Sequence, residues 1–296
     1  MQLQELKKRL DEMFNIGNIP VDMPFSNLLP QIYGASGIPV EKYYAKDFNS
    51  KFHGLMFENG NLVEKVYRIV FLSREVLDKI FEKNETDLLI FSHHPMEMET
   101  SGKGFIPLPE KYLNIMKERR ISVYVLHTPL DIHEEISTSE SIAKKIRLTN
   151  QKRYAQNSIG FSGIVGELKS AVSFEEFVEI VSTVCEIKAP HFVKKTANVK
   201  KVGIIAGGGS FIGAIEETIS LGCDTYLTGE YINKINNEYG MSQRKEVEEY
   251  IDKININLIE CSHYATEKVV IKDEIKKVFD DLSLISEFVE QDNPWY

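Results

Sequence analysis

The sequence predicts an α/β fold, in which short apolar strands alternate with amphipathic helices. Apolar segments at 66–71, 87–92 and 121–126 are each separated by stretches with apolar residues at helical spacing. Strands this short and apolar are typical of a sheet that helices cover on both faces. At 296 residues, the chain is long enough for one large or two ordinary domains.

A repeated order of polar residues predicts two similar lobes. Each half has an aspartate, a polar residue six positions later, a histidine 33 or 34 positions further on, and a carboxylate four positions beyond that histidine. These residues are Asp87, His93, His127 and Asp131 in the first half and Asp224, Glu230, His263 and Glu267 in the second. We interpret the halves as lobes 1–150, which includes an extended N-terminal segment, and 151–296, whose C-terminal part completes a shared site. Chance similarity between two strand–helix–strand units is the alternative.

The first lobe begins with an amphipathic helix, because Leu3, Leu6 and Leu10 recur at helical spacing. Residues 15–52 contain four prolines and three glycines, which predicts loops and short turns. The elements expected next are a strand at 66–71, a helix at 74–83, a strand at 87–92, a polar loop over the site at 96–109, a helix at 109–119, a strand at 121–126 and a helix at 138–148.

The second lobe contains a well-marked helix at 174–184, where Ser173 and Glu176 form a capping box. The other expected elements are a strand with a turn at 158–170, a strand at 202–207, a helix at 211–221, a strand at 223–227, a helix at 242–254, a strand at 256–260 and a helix at about 267–282 before a polar tail.

Composition excludes several classes of protein. A net charge of −9 argues against a general nucleic-acid or anionic-membrane surface. Three widely spaced cysteines suit a reducing compartment better than a disulfide scaffold. No apolar run reaches the roughly 18 to 20 residues of a membrane span, and the charged N-terminal helix is unlike a signal peptide. We therefore expect a cytoplasmic protein.

The ends of three predicted strands carry the candidate metal ligands. His93 and His94 lie before Pro95, and we expect them to leave the strand ladder and serve different ions. Further ligands are expected from a histidine and a carboxylate four positions apart, a spacing that brings both to one side of a turn or helix. These pairs are His127 with Asp131 and His263 with Glu267.

Imidazoles and carboxylates without a thiolate suit zinc, manganese, iron or cobalt, and the residues leave all four open. Five or six such ligands exceed the needs of one catalytic zinc, so we expect two divalent ions about 3.5 to 4 Å apart. Each motif alone is more often an ordinary loop, turn or capping residue. Their occurrence at corresponding strand ends favours the metal interpretation.

A glycine turn between a strand and a helix is a candidate binding site for an anionic group. It consists of Gly207, Gly208, Gly209 and Ser210, and such a turn exposes N–H groups at a helix N-terminus. It matches neither the dinucleotide fingerprint nor a nucleotide P-loop. A tight turn without a ligand is an equal alternative.

Five motifs, in this order, resemble the Nif-three-like family of dinuclear metal-centre proteins, the GTP cyclohydrolase I type 2 homologues. They are Ser92-His93-His94-Pro95, His127-Thr-Pro-Leu-Asp131, Ala206-Gly-Gly-Gly-Ser210, Thr228-Gly229-Glu230 and His263-Tyr-Ala-Thr-Glu267. The resemblance spans about residues 54–280. It implies two intertwined α/β lobes with a two-metal site in the cleft between them, and a homohexameric ring. The implied metal ligands are His93, His94, Asp131, His263 and Glu267, while His127 resembles a histidine close to the metals.

Two features depart from the family pattern. The first 50 residues are longer, and the run after Asp131 is Ile132-His-Glu-Glu-Ile-Ser-Thr in place of a segment with Gly-Gly and Asn. These differences bear on the substrate more than on the metal site.

Our functional hypothesis is a metal-dependent hydrolase acting on a nucleotide-like or other anionic small molecule. In it His127 and Glu230 transfer protons, and the Gly207–Ser210 turn holds the anionic part of the substrate. The alternative is a non-catalytic metal-binding scaffold or regulator that acts through its oligomer and protein partners. A ring that binds nucleic acid is a third hypothesis, which the acidic charge weakens.

Overall fold

The computed structural model describes residues 1–98, 104–232, 236 and 238–296. Its helices are α1 (Leu3–Met13), α2 (Met23–Ala35), α3 (Arg74–Phe81), α4 (Glu110–Glu118), α5 (Thr128–Asp131), α6 (Thr138–Lys145), α7 (Phe174–Cys185), α8 (Ile212–Ser220), α9 (Glu238–Ile251), α10 (His263–Val269) and α11 (Ile275–Asp281). Its strands are β1 (Gly54–Phe57), β2 (Lys65–Phe71), β3 (Leu88–His94), β4 (Glu97–Met98), β5 (Phe105–Ile106), β6 (Ile121–Val125), β7 (Thr149–Gln156), β8 (Phe161–Ser173), β9 (His191–Val193), β10 (Asn198–Ile205), β11 (Thr225–Thr228), β12 (Asn257–Glu260) and β13 (Ile285–Phe288).

Contacts between Cα atoms divide the chain into two units. Unit 1 comprises Met1–Met98, Phe105–His133 and Ile271–Asp292, and unit 2 includes Glu134–Val270 and Asn293–Tyr296. The division into lobes 1–150 and 151–296 stays a prediction.

Unit 1 is built on a five-stranded sheet in the order β1-β6-β3-β2-β13. Strands β6, β3, β2 and β13 are parallel to their neighbours, and β1 is antiparallel to β6. One core contains buried residues from α2, α3 and α4 together with strand residues such as Tyr67 and Ile90. Phe91 contacts Phe14, which follows α1, and Phe279 of α11. Helices therefore cover the sheet on both faces.

Unit 2 is built on a six-stranded sheet in the order β7-β8-β10-β11-β12-β9. Strands β10, β11 and β12 are parallel to one another, whereas the other neighbouring pairs are antiparallel. One core joins α6, α7 and α10, and a second joins α8 and α9. The α/β class predicted from the sequence is confirmed.

Both units contain three parallel strands in a corresponding order. The order is β6-β3-β2 in unit 1 and β12-β11-β10 in unit 2, each beginning with the last of the three strands in the chain. His93 and His94 end the central strand of unit 1, and Glu230 lies two residues beyond that of unit 2. The sequence repeat therefore corresponds to a shared strand order.

The expectation of loops and short turns over residues 15–52 is wrong, because α2 occupies Met23–Ala35. Asp22 caps this helix by accepting a hydrogen bond from the Phe25 N–H, and Pro24 occupies the first turn. A proline is tolerated there because the first N–H groups of a helix have no intrahelical partner. The apolar residues at helical spacing, Phe25, Leu29 and Tyr33, are buried. Two short 3₁₀ turns, Val40–Lys42 and Phe48–Ser50, follow.

Other boundaries also differ from the expectations. The last helical region begins at His263 rather than near 267 and contains a π-helical turn at Val270–Glu274. Strands β7, β9 and β13 were not predicted, since they are edge strands or carry polar residues. The stretch expected to form a polar loop over the site contains the antiparallel pair β4–β5. Residues 99–103 of that loop lie outside the described residues.

In the part of the chain that the structure describes, every helix is too short or too polar to cross a membrane. The three cysteines are buried thiols.

Candidate functional site

Strand β3 carries His93 and His94 as its last two residues. The expectation that they leave the ladder is wrong, because His94 pairs with Phe71 of β2 in the parallel register. Both side chains are nonetheless buried, and their ring centroids lie 4.5 Å apart in a T-shaped arrangement. The two imidazoles therefore lie next to each other at the end of β3 in unit 1.

The ring of His127 lies close to both of these imidazoles. Its centroid lies 5.2 Å from that of His93 and 4.9 Å from that of His94. One ring nitrogen from each of the three residues lies within 4.8 Å of the others, a spacing suited to holding a metal ion. We call His93, His94 and His127 the triple-histidine cluster.

Asp131 adds a carboxylate to the triple-histidine cluster. One of its oxygens lies 3.6 Å from Nε2 of His93, and the other lies 3.9 Å from Nε2 of His127. The one-turn helix α5 spans Thr128–Asp131, which explains this proximity, since residues four apart on a helix are neighbours.

In His93 and His127, a hydrogen bond at Nδ1 fixes the orientation of the ring and therefore the direction of Nε2. Nδ1 of His93 lies 2.8 Å from the Leu126 carbonyl oxygen, which can only accept, so Nδ1 donates. Nδ1 of His127 lies 2.8 Å from a carboxylate oxygen of Asp22 and donates in the same way. In the neutral rings, Nε2 then carries the lone pair that a metal requires.

Two aromatic side chains pack against the triple-histidine cluster. The Phe71 ring stacks on His94 with centroids 4.4 Å apart, and the Phe25 ring lies edge-on to His127 at 4.8 Å. These contacts restrict the rotation of both imidazoles and replace water on one side of each ring.

A second cluster in unit 2 consists of Glu230, His263 and Glu267, and we call it the His263 cluster. Nδ1 of His263 lies 2.5 Å from Glu230, and Nε2 lies 2.9 Å from Glu267. The Trp295 ring stacks on the imidazole with centroids 5.2 Å apart. Helix α10 begins at His263, so Glu267 lies one turn further along the same face.

Buried carboxylates dominate the electrostatics of both clusters. Burial lowers the pKa of the His263 imidazole, but attraction to Glu267 and Glu230 outweighs burial and raises that pKa to about 10. Burial raises the pKa of the Asp22 carboxyl, but His127, Thr128 and the Phe25 N–H outweigh it, so that pKa lies below its ordinary value. Both clusters therefore place negatively charged carboxylates against their imidazoles, which favours a positive charge there, either a proton or a metal ion.

The glycine turn lies against the His263 cluster. Gly207 has φ +67°, and a Cβ there would lie 3.2 Å from Nε2 of His263. Its N–H donates to the Thr266 hydroxyl, and the Gly209 N–H donates to the Gly207 carbonyl. Two N–H groups of the turn are therefore used within the protein. Anion binding by the Gly207–Ser210 turn stays a prediction.

Sequence reasoning missed Asp22 and Trp295, which contact the two clusters. The Asp-x-Pro pattern of residues 22–24 is a helix-start signal that points to Asp22 as a cap. No local pattern relates either residue to its histidine, because 105 positions separate Asp22 from His127.

The donor set fits a divalent transition metal. Unit 1 offers three imidazoles and a carboxylate, and unit 2 offers an imidazole between two carboxylates. Nitrogen and oxygen donors of this kind bind zinc, manganese, iron and cobalt, and hydrogen bonds to the far ring nitrogens are typical of metal-binding histidines. The residues expected from the sequence to bind metal thus fall into these two clusters.

Three known proteins are similar to this chain over most of its length. A GTP cyclohydrolase 1 type 2 homolog from Haemophilus influenzae is 24% identical, with 82% of this chain and 90% of the relative covered. A protein of the same name from Deinococcus radiodurans is 27% identical, with 80% and 84% covered. The solved structure of protein ybgI, described as of unknown function, has a TM-score of 0.70 at 19% identity, with 99% of this chain and 100% of that chain covered.

A family model for Duf34/NIF3 (NGG1p interacting factor 3) matches residues 40–294. Residues 1–39, which include α1 and α2, lie outside that match. Since the match extends over most of the chain and includes both clusters, the chain belongs to the Duf34/NIF3 (NGG1p interacting factor 3) family.

Proposed function

We propose that this chain is a metal-dependent hydrolase that binds two divalent ions and acts on a nucleotide-like or other anionic small molecule. The observation that carries the proposal is the triple-histidine cluster with Asp131 beside it. The name of its relatives, GTP cyclohydrolase 1 type 2 homolog, suggests the substrate class.

The proposed ligands are His93, His94 and Asp131 for one ion, and His263 and Glu267 for the other. A bound divalent ion supplies Lewis acidity, which polarises the substrate and makes water more acidic. The aromatic rings of Phe71, Phe25 and Trp295 restrict the imidazoles on which that ion would depend. Hydrolysis of a nucleotide base ring and of a phosphoester are both consistent with these parts.

His127 and Glu230 are proposed to transfer protons. His127 is half-buried, and Asp22 holds its Nδ1–H, so Nε2 is the nitrogen available to accept a proton. Glu230 contacts Nδ1 of His263, which gives this carboxylate a further role in orienting the imidazole. The Gly207–Ser210 turn is proposed to hold an anionic part of the substrate.

The proposal extends to assembly and location. The sequence resemblance implies a homohexameric ring, and we propose this state for a cytoplasmic protein. Light scattering during size-exclusion chromatography tests it. A mass of six chains supports the ring, whereas a monomer at micromolar concentration contradicts it.

Metal content tests the first part of the proposal. Elemental analysis of protein purified without added metal should show close to two ions per chain. His93→Ala and Asp131→Ala should each reduce that content while the circular dichroism spectrum stays unchanged. His191→Ala is the matched control, because His191 is exposed on β9 outside both clusters. Full occupancy in both ligand variants would contradict the assignment.

Turnover tests the second part. Metal-loaded protein is screened against nucleotides and phosphoesters with Mn²⁺ or Zn²⁺, with and without a chelator. Turnover that chelation abolishes, and that H93A lacks but H191A retains, supports the hydrolase. If the fully loaded protein is inactive on every substrate, the result favours a non-catalytic metal-binding scaffold.

A further inference from the structure

Asp22 connects the N-terminal segment to the triple-histidine cluster. Its side chain is 1% exposed and makes hydrogen bonds through both carboxylate oxygens. Oδ1 accepts from the Phe25 N–H at 3.2 Å and so caps α2. Oδ2 accepts from Nδ1 of His127 at 2.8 Å and from the Thr128 hydroxyl at 2.8 Å. One buried carboxylate therefore starts a helix and holds an imidazole.

We infer that Asp22 is a positioning residue for a metal bound at the triple-histidine cluster: it fixes the proton of His127 on Nδ1 and presents Nε2 to the metal. This inference rests on the metal-binding part of the proposed function. It assigns His127 as a third imidazole ligand through Nε2, in place of the proton transfer proposed above for that nitrogen, and it gives the N-terminal segment a role at the site.

A carboxylate suits this role because it accepts hydrogen bonds at both oxygens and donates at neither. A neutral imidazole that donates from Nδ1 to such an acceptor keeps its lone pair on Nε2. Second partners of this kind orient metal-binding histidines and increase their basicity. His93 has an equivalent partner, but it is the Leu126 backbone carbonyl. The orientation of His127 depends on a side chain, so a single substitution removes it.

Helix α2 contributes a second contact to the same imidazole. The Phe25 ring, three residues after Asp22, lies edge-on to His127 with centroids 4.8 Å apart. Phe25 is buried, and its N–H is the group that Asp22 caps. Asp22 therefore both caps the helix that carries Phe25 and holds the imidazole that the Phe25 ring contacts. Both residues precede residue 40, where the family match begins.

Two substitutions separate the capping role from the positioning role. Asp22→Asn keeps a good N-cap, but when its oxygen faces Phe25 its NH₂ group faces His127 and forces Nδ1 to accept. The proton of the neutral ring then moves to Nε2, which blocks the metal. Asp22→Ser also keeps a cap, and its short hydroxyl leaves Nδ1 of His127 without the carboxylate. D22S therefore provides a second test if D22N fails to fold.

The experiment has two readouts that need no substrate. Nitrogen-15 NMR of the histidine rings in the metal-free protein reports the tautomer of His127, identified by its loss in H127A. Competition with a chromophoric chelator measures Zn²⁺ affinity. We expect D22N and D22S to lose the Nδ1–H tautomer and to weaken the affinity of one Zn²⁺ by about 10- to 100-fold. Asp224→Asn is the matched control, because Asp224 accepts from the Lys200 and Lys201 N–H groups and contacts neither cluster.

A double-mutant cycle excludes a merely structural effect. If Asp22 acts through His127, D22N should not weaken Zn²⁺ binding further once His127 is alanine. The inference is overturned if D22N and D22S keep wild-type affinity and tautomer, if the effects of D22N and H127A are additive, or if the wild type binds no Zn²⁺. A wild type that binds Zn²⁺ without turnover would refute only the hydrolase, since neither readout involves a substrate.

Discussion

Nδ1 of His263 lies 2.5 Å from Oε1 of Glu230, while Nε2 of the same ring faces Glu267 at 2.9 Å. The imidazole thus lies between two carboxylates in the interior of unit 2. Without a metal, this arrangement stabilises the protonated ring, which explains why the pKa of His263 rises to about 10 although burial alone would lower it.

We expect Glu230→Gln to change how the stability of the metal-free protein depends on pH. The folded-state pKa of His263 is about 10 against 6.5 for an unperturbed histidine. Its stabilisation is therefore complete below pH 6.5 and is lost as the pH rises towards 10. Urea unfolding of chelator-treated protein between pH 6 and 10 should show a steeper decline for the wild type than for E230Q. Parallel curves would show that Glu230 does not hold the proton on His263.

The glycine turn provides a second prediction. In Gly207→Ala, the added Cβ would clash with Oε1 of Glu267, and a non-glycine residue at φ +67° adds strain. We expect G207A to lower the free energy of unfolding by roughly 1–3 kcal/mol and to weaken metal binding by displacing Glu267. Gly213→Ala is the control, because no atom lies within 4 Å of its Cβ position and alanine favours a helix. Equal effects of both variants would contradict this explanation.

Helix α2 contains a proline that lowers its stability. Pro30 is exposed within Met23–Ala35 and lacks the N–H that would donate to the Ser26 carbonyl. Pro30→Ala should raise the free energy of unfolding by roughly 2 kcal/mol. Alanine stabilises the helix relative to proline, and the greater conformational freedom of the unfolded variant offsets part of that gain. Pro24→Ala, in the first turn, should change stability little. A urea midpoint for P30A at or below that of P24A would contradict the prediction.

The elements that were predicted correctly are those in which local pattern and tertiary structure agree. Strands β3, β11 and β12 are short, have apolar residues at their centres and are buried along their whole length. Helix α7 has both a periodic apolar face and the Ser173 cap. Helix α2 differs from the expectation because proline usually breaks a helix, whereas Pro24 lies in the one turn that tolerates a proline.

Only those residues of the candidate site that follow a recognisable strand could be predicted from the sequence. Histidines and carboxylates such as His127 and Glu230 can be identified from a single sequence, because the buried strands that precede them have a recognisable pattern. Asp22 and Trp295 contact the clusters from segments far away in the chain. Their proximity depends on how α2 and the C-terminal segment pack, which no local pattern encodes.

The buried side chain of His53, which directly precedes β1, provides a further prediction. Its side chain is 3% exposed and borders a cavity of about 870 Å³ formed by α1 and by residues 45–58. Burial lowers the pKa of the imidazole to about 4, with a further lowering by Lys51 that nearby Asp22 and Asp11 oppose. The ring is therefore neutral in the folded protein at pH values where an unfolded histidine is already charged.

We expect the stability that depends on this neutral ring to be present above pH 6.5 and to be lost as the pH falls towards 4, because the unfolded chain takes up a proton that folded His53 does not. His53→Gln removes the titration, so the difference in unfolding free energy between wild type and H53Q should vary between pH 4 and 6.5 and be constant above that window. Urea unfolding across this range measures the difference, with His191→Gln on the exposed edge strand β9 as the control. A difference that stays constant from pH 4 to 8 would mean that His53 is charged in the folded protein as readily as in the unfolded chain.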